Sequence, residues 1–229
     1  MKKFHLYFIN YNDSYYLPLL AKHYEFCERI TMFDNYSTDN SIELAQSLNF
    51  EVKYFGKPGE LNDQHYLDVK NNCWKDSRGH ADYVIVCDAD EFIWGDYTNV
   101  TCSLPQSEGY NMISNVLPKK EITEIKTGTF DENYGKQIMF CPNRISEINY
   151  VHGCHKNNAV GDITSHDTMK MLHYRMIGGV YRIINRHRIY LQRMSQFNHK
   201  HNMGHHYKHS EAAKRDEWKT LMAAAKIVI

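Results

Sequence analysis

Four short apolar runs, 4–9, 29–33, 50–55 and 83–87, constrain this chain more than any other feature, because stretches of helical periodicity separate them. Leu17, Leu20, Ala21, Tyr24 and Cys27 share one helical face over 17–27. Ile42, Leu44, Ala45 and Leu48 predict a second helix, with Asp39 or Ser41 placed to cap its start, and Asn62 to Lys75 predicts a third. Strands alternating with helices predict an α/β fold: a mostly parallel, doubly wound sheet flanked by helices. In such sheets ligands bind beyond the carboxyl ends of the strands. That rule gathers three polar clusters, Asn10 to Asp13, Asp34 to Asp39 and Asp88 to Glu91, into one crevice.

The second half is less regular. Tyr110 to Leu117, Gln137 to Cys141, Ile145 to Val151 and Met169 to Tyr174 predict further strands. Val180 to Phe197 predicts a helix with Ile183, Ile184, His187 and Met194 on one face and Arg182, Arg186 and Arg193 on another, and Glu211 to Lys226 predicts a terminal helix.

With 229 residues, 42% of them hydrophobic, the chain can bury one sizeable core. Its 27 basic and 27 acidic side chains cancel, so no nucleic-acid partner is expected. The balance hides an asymmetry: from Thr168 to Ser210 there is no Asp or Glu, while eight Lys or Arg and seven His occur. Six scattered cysteines without a CxxC pair are read as reduced thiols, and neither a signal peptide nor a membrane-length apolar stretch is seen. The expectation is a cytoplasmic protein, with peripheral docking at the inner face of a membrane left open by the basic segment.

The run Tyr83 to Cys87 ends on Asp88-Ala89-Asp90-Glu91, three carboxylates in four residues. Like charges that close repel unless a cation resolves them. Hard divalent ions take one or two carboxylates together with phosphate oxygens, so a metal-bound diphosphate is the implied ligand. The plainer alternatives are an acidic turn closing a strand and, for Asp34, a strand-end turn residue.

The loop "MFDNYSTDNS", Met32 to Ser41, resembles the D-x-x-S-T-D-x-(S/T) loop of family 2 glycosyltransferases of the GT-A fold, and "VIVCDADEF" resembles their metal-binding DxD strand. The DxDEF ending, "HGCH" at 152–155 and "LHYR" at 172–175 are more similar to a family 2-like and family 92-like subgroup. The likeness covers residues 4–95, with only scattered short motifs beyond. It implies a GT-A-like, Rossmann-type sheet in a single domain over 1–229: a nucleotide-sugar half at 1–95, an irregular acceptor-side half at 96–180 and C-terminal helices at 181–229. It further implies a site in which Asn10, Tyr11 and Asn12 flank the base, Asp34 with Asn35 contacts base or ribose, and Asp88 approaches ribose and metal. Asp90 would be the principal ligand of Mn²⁺ or Mg²⁺. His173 in "MLHYR" is the chosen further metal ligand, a satisfied core histidine being the alternative.

The resemblance implies transfer from a nucleoside-diphosphate sugar, uridine diphosphate favoured, to a glycan or lipid-linked acceptor. Such transfer by inversion needs a general base. Family 2 members usually supply an Asp in an E-D motif, which this sequence lacks, so Asp131, Glu132, His155, Asp162 and Asp167 all stand as candidates. His155 is favoured because it ends a predicted strand, and Glu91 is assigned to support the metal site. A zinc pair of His152 and His155 with Cys154 would lack closed four-fold ligation. The basic C-terminal segment is a solvated face, a cover for the diphosphate, or a surface for an anionic acceptor or lipid. A sugar-phosphate nucleotidyltransferase is the enzyme alternative, but it would want a Gly-rich loop where "NYNDSYYLP" stands. A non-catalytic nucleotide-sugar or glycan-binding module is the alternative from another class.

Overall fold

A computed structural model describes all of residues 1–229. Its first half runs β1 (Phe4–Asn10), α1 (Leu17–His23), β2 (Arg29–Asp34), α2 (Ser41–Ser47), β3 (Glu51–Tyr54), α3 (Asp63–Asn72) and β4 (Tyr83–Asp88). β1 is buried along its whole length, as a strand flanked by parallel neighbours and covered on both faces must be. β2 and β4 lie on either side of it and β3 forms the edge, giving a parallel order of 3-2-1-4. The α/β, mostly parallel expectation for this half is met. Charge concentrates on the edge, where Glu51 of β3 pairs with Arg29 and Lys53.

The register decides what meets at the strand ends. Ile9 stands opposite Asp88 and Asn10 opposite Asp34, so the three polar clusters emerge side by side. α1 begins with Pro18 in its first turn and stops at His23, four residues short of expectation. Asn62 caps α3 by accepting from the Gln64 N–H. α2 has no side-chain cap; Asp39 instead accepts from the Ser41 N–H.

After β4 the chain turns through Ala89 and Asp90 and reverses into β5 (Glu91–Trp94), a strand absent from the sequence reading. The second half adds β6 (Gln106–Ser114), β7 (Thr127–Phe130), β8 (Met139–Phe140), β9 (Ile145–Glu147), β10 (Val160–Gly161), β11 (Thr168–Ile177), α4 (Val180–Arg193), α5 (Gln196–Lys200), α6 (Glu211–Ala224) and β12 (Lys226–Ile227). β8 closes the first sheet antiparallel to β4, while β12, β7, β6, β11 and β5 make a second five-stranded sheet in that order. Only β6 and β11 are parallel there. The expected helix 180–197 is two helices: Met194 is extended and bridges Leu61, and Ser195 caps α5 by accepting from the Asn198 N–H.

One apolar cluster joins the sheets, running from Phe4, Phe8 and Ile85 to Met112, Met171 and Tyr174. Two polar links also tie them: the Tyr174 N–H donates to Asp90 O (2.8 Å), and Tyr16 Oη donates to Tyr174 O (2.7 Å). All six cysteines are free thiols. No helix is long and apolar enough to cross a membrane.

Candidate active site at the ends of β1 and β4

The two acidic loops do different work. Asp34 is fully buried and both its oxygens are occupied: Oδ1 accepts from Asn10 Nδ2 (2.9 Å) and Ser37 Oγ (2.6 Å), Oδ2 from the Ser37 N–H (2.7 Å). Asn12 Oδ1 accepts from the backbone of Thr38 and Asp39, and Asn35 Nδ2 donates to Phe55 O. These four residues, expected against the nucleotide, are not among the residues that line the cavity at the strand ends. Of the expected nucleotide set, Tyr11 and Asp88 line it.

The crevice is a cavity of about 170 Å³, lined by the DxD turn, α3, the 134–136 and 153–155 segments, β11 and α4. Asp88 and Asp90 both reach it, but they keep different company. The Asp88 side chain is 32% exposed and pairs with Lys70 (2.8 Å) and, more distantly, Lys136 (3.6 Å). Asp90 is 3% exposed and its Oδ2 takes Arg186 of α4 at 3.1 Å, the same guanidinium that reaches Asp13 at 2.8 Å. Burial would raise the Asp90 pKa, yet the Arg186 guanidinium above all holds it below the usual carboxylate range. Asp13 goes the other way, lifted to about 6 by burial, with Arg186 opposing and Asp90 reinforcing the shift.

His173 sits in register with Glu91 of β5, one residue from Asp90, and its Nε2 lies 3.7 Å from Asp90 Oδ1. Burial drives the imidazole pKa down to about 4 against the pull of Asp90 and Glu91, so the ring is neutral and the two groups form no ion pair. Tyr134 stacks on the ring, with centroids 4.6 Å apart. Glu91 is wholly buried and outside the cavity lining. It ion-pairs with Lys136 and accepts the Asp88 N–H at 3.0 Å; burial pushes its pKa up, and Lys136 together with Lys70 and His173 brings it down to about 2. Glu91 therefore supports the turn and positions Lys136 rather than facing substrate.

Among the base candidates the structure brings only His155 to the cavity. Its Nδ1–H donates to Asn133 O at 2.6 Å, leaving Nε2 as the basic nitrogen. Asp131, expected in the catalytic set, lies outside the cavity lining: Oδ1 accepts from the Asn133 N–H (3.0 Å) and Oδ2 from Asn111 Nδ2 (2.9 Å). Asp162 pairs with Arg144, and Asp167 accepts from the Thr101 and Cys102 N–H groups. His152 turns to Gln64 and so does not join His155.

Lys70, Lys136, Tyr190 and Tyr207 are lining residues that the sequence did not point to, while Arg175 and Arg186, also lining, belong to the basic segment for which a cover over the diphosphate is one of the alternatives. Arg182, Arg186 and Arg193 at helical spacing were the readable signal for α4; Lys70 and Lys136 left none. Arg175 has no carboxylate partner; it lies against the rings of Tyr190 and Tyr207, and its Nη2 is buried without a hydrogen bond, as is Nη1 of Arg186. Arg193 lies over the Tyr11 ring and donates to Asn35 Oδ1.

No family model and no curated protein sequence matches the chain. Among solved structures it is similar to glucosyl-3-phosphoglycerate synthase from Mycobacterium tuberculosis with Mn²⁺, UDP-glucose and phosphoglyceric acid, at 12% identity and a TM-score of 0.33, over 47% of this chain and 44% of that one. The same synthase with Mn²⁺, UDP and glucosyl-3-phosphoglycerate gives 12% identity and a TM-score of 0.30, over 40% and 34%. A mycobacterial protein gives 11% and 0.34, over 48% and 41%. The chain thus spans less than half the length of these structures, and the reading of its site stands on its own geometry.

Proposed function

We propose that this chain is a metal-dependent, GT-A-type glycosyltransferase. It moves a sugar from a nucleoside-diphosphate sugar, uridine diphosphate being the favoured carrier, to a glycan or lipid-linked acceptor, and residues 1–229 act as one catalytic domain. The observation that carries the reading is the facing of Asp90 Oδ1 and His173 Nε2 across 3.7 Å, with His173 Nδ1 taken up by Asn111, inside a cavity lined by four cations. Two electron-pair donors that close favour a cation between them.

The donor set suits Mn²⁺ or Mg²⁺. No three His, Cys, Asp or Glu side chains converge to hold an ion unaided. Hard ions that bind through one or two protein ligands and complete their shell with phosphate and water match Asp90 and His173, with Asp88 adjacent. Such an ion, when bound, offsets the negative charge that develops on a departing nucleoside diphosphate. The chain's own cations serve the same anion. Arg175 and Arg186 carry buried, unpartnered N–H groups, and Lys70 and Lys136 stand over Asp88. His155, its Nδ1–H tied to Asn133 O, takes the proton from the acceptor hydroxyl at Nε2.

One observation favours a second reading, a binding module without turnover: both DxD carboxylates already have resident cations, Lys70 for Asp88 and Arg186 for Asp90. A membrane-surface role for the basic segment draws less support, since Arg186 and Arg193 turn inward and Arg188 pairs with Glu211. Calorimetry with UDP, GDP and CMP, with and without Mn²⁺, is the first test, with Mn²⁺-dependent UDP binding expected. Absence of nucleotide binding, or binding indifferent to the metal, sinks the proposal. A donor panel scored for nucleoside-diphosphate release then separates enzyme from binding module.

A further inference from the structure

Asp131 lies outside the cavity lining, yet it is joined to the candidate metal site through a single residue. β6 and β11 are parallel and in register at Asn111 and His173, which brings the two side chains together. The His173 Nδ1–H donates to Asn111 Oδ1 at 3.1 Å, and Asn111 Nδ2 donates to Asp131 Oδ2 at 2.9 Å. A carboxylate only accepts, so Asp131 holds the amide with its NH₂ outward and its carbonyl toward the imidazole. A carbonyl can only accept from the ring, so the proton is kept on Nδ1 and the Nε2 lone pair faces Asp90.

We propose that Asp131 and Asn111 are positioning residues that lock His173 in the Nδ1–H tautomer and so prepare it to ligate a divalent cation together with Asp90. The proposal rests on the reading of that pair as a metal site and assigns Asp131 a role other than the general base. The same short turn holds the ring plane: Asp131 caps the 3₁₀ turn Glu132–Tyr134, and Tyr134 is the residue stacked on His173. The turn lies directly on β6 because Gly109 has no side chain; a β-carbon there would overlap the Tyr134 carbonyl. Partners of this kind orient ligating histidines, and losing them typically weakens metal binding about 10–100-fold.

Asp131→Asn is the discriminating variant, because asparagine also caps helical turns but no longer dictates which way the Asn111 amide points. Two readouts apply: the imidazole ¹⁵N resonances of His173 in metal-free protein, and Mn²⁺ affinity measured by electron paramagnetic resonance in the presence of UDP. Wild type is expected to show the Nδ1–H tautomer. Asp131→Asn is expected to show a tautomer mixture and Mn²⁺ binding weaker by about 10-fold or more. The swapped pair Asn111→Asp with Asp131→Asn returns an acceptor-only group to His173 and is expected to recover both. Wild-type tautomer and wild-type Mn²⁺ affinity in Asp131→Asn overturn the relay while leaving the metal site standing. Absence of Mn²⁺ binding to the wild type overturns the metal site and the relay together.

Discussion

The cavity has two walls built on opposite principles. The wall from β1 and β4 is delivered by backbone: a strand ends, and Asp88 and Asp90 arrive wherever the parallel register sends them. The wall from β11 and α4 is delivered by long side chains, Arg175 and Arg186, held against tyrosine rings and against the acids opposite. The acidic wall is legible as a contiguous motif. The basic wall is assembled from residues about a hundred positions away, and its meaning lies in the partner it faces. An acidic motif without that wall would be a repulsive turn.

The acidic wall is most sensitive at Asp90. Asp90→Ala is expected to cut metal-dependent donor hydrolysis by about 10²–10³-fold or more, the scale of lost electrostatic stabilisation at a developing charge, with the fold intact by circular dichroism. Unchanged turnover would remove Asp90 from the chemistry. Next is the support beneath the acidic wall: Lys136→Met strands the buried Glu91 carboxylate and should cost about 3–5 kcal/mol in denaturant unfolding. Adding Glu91→Leu should restore most of that stability, and a failure to recover would show that Lys136 acts through something other than this pair.

Smaller effects probe the basic wall. Arg186→Gln removes charged hydrogen bonds worth about 1.5–3 kcal/mol and is expected to weaken UDP binding about 10–100-fold by calorimetry. Equal affinity would mean that Arg186 only neutralises Asp13 and Asp90. A pH profile tests His155, whose pKa is pushed below the ordinary 6.5 by burial and then by Lys136. A base must be unprotonated, so kcat/KM should stay flat down through neutral pH and fall only below 6.5; a midpoint above 6.5 excludes His155 as that base. Smallest is Ser195→Ala, which removes the cap of α5 and should cost about 1 kcal/mol.

Much of the first half was legible. The four parallel strands and the gathering of their polar ends follow from short apolar runs alternating with helical periodicity, with β1 and β4 apolar enough to be buried almost throughout and β3 left as the charged edge. β5 escaped because its four residues follow Asp88 and Asp90, begin on a third acid and show no alternation, and β7 because Thr127 to Phe130 is short and half exposed. The single helix expected over 180–197 breaks because Met194 pairs with Leu61, a contact from another part of the chain that no local periodicity contains. The loop motif singles out Asp34, but its hydrogen bonds to Asn10 and Ser37 depend on the parallel register of β1 and β2, which spacing alone does not reveal.

The amino-acid order by itself determined that a parallel α/β sheet would form and that its strand ends would carry carboxylates, because apolar periodicity and strand termination are local properties. Tertiary structure alone decided which acids keep an open face. Asp88, Asp90, Asp131 and Glu91 are all carboxylates in the sequence, but Lys136 pairs with the buried Glu91, Asn111 donates to Asp131 outside the cavity, and of these four Asp88 and Asp90 face it. The physical reason is that a carboxylate's role is set by what occupies its lone pairs, and here the occupants come from β6, β11, α3, α4 and the 134–136 segment, which only the fold brings together.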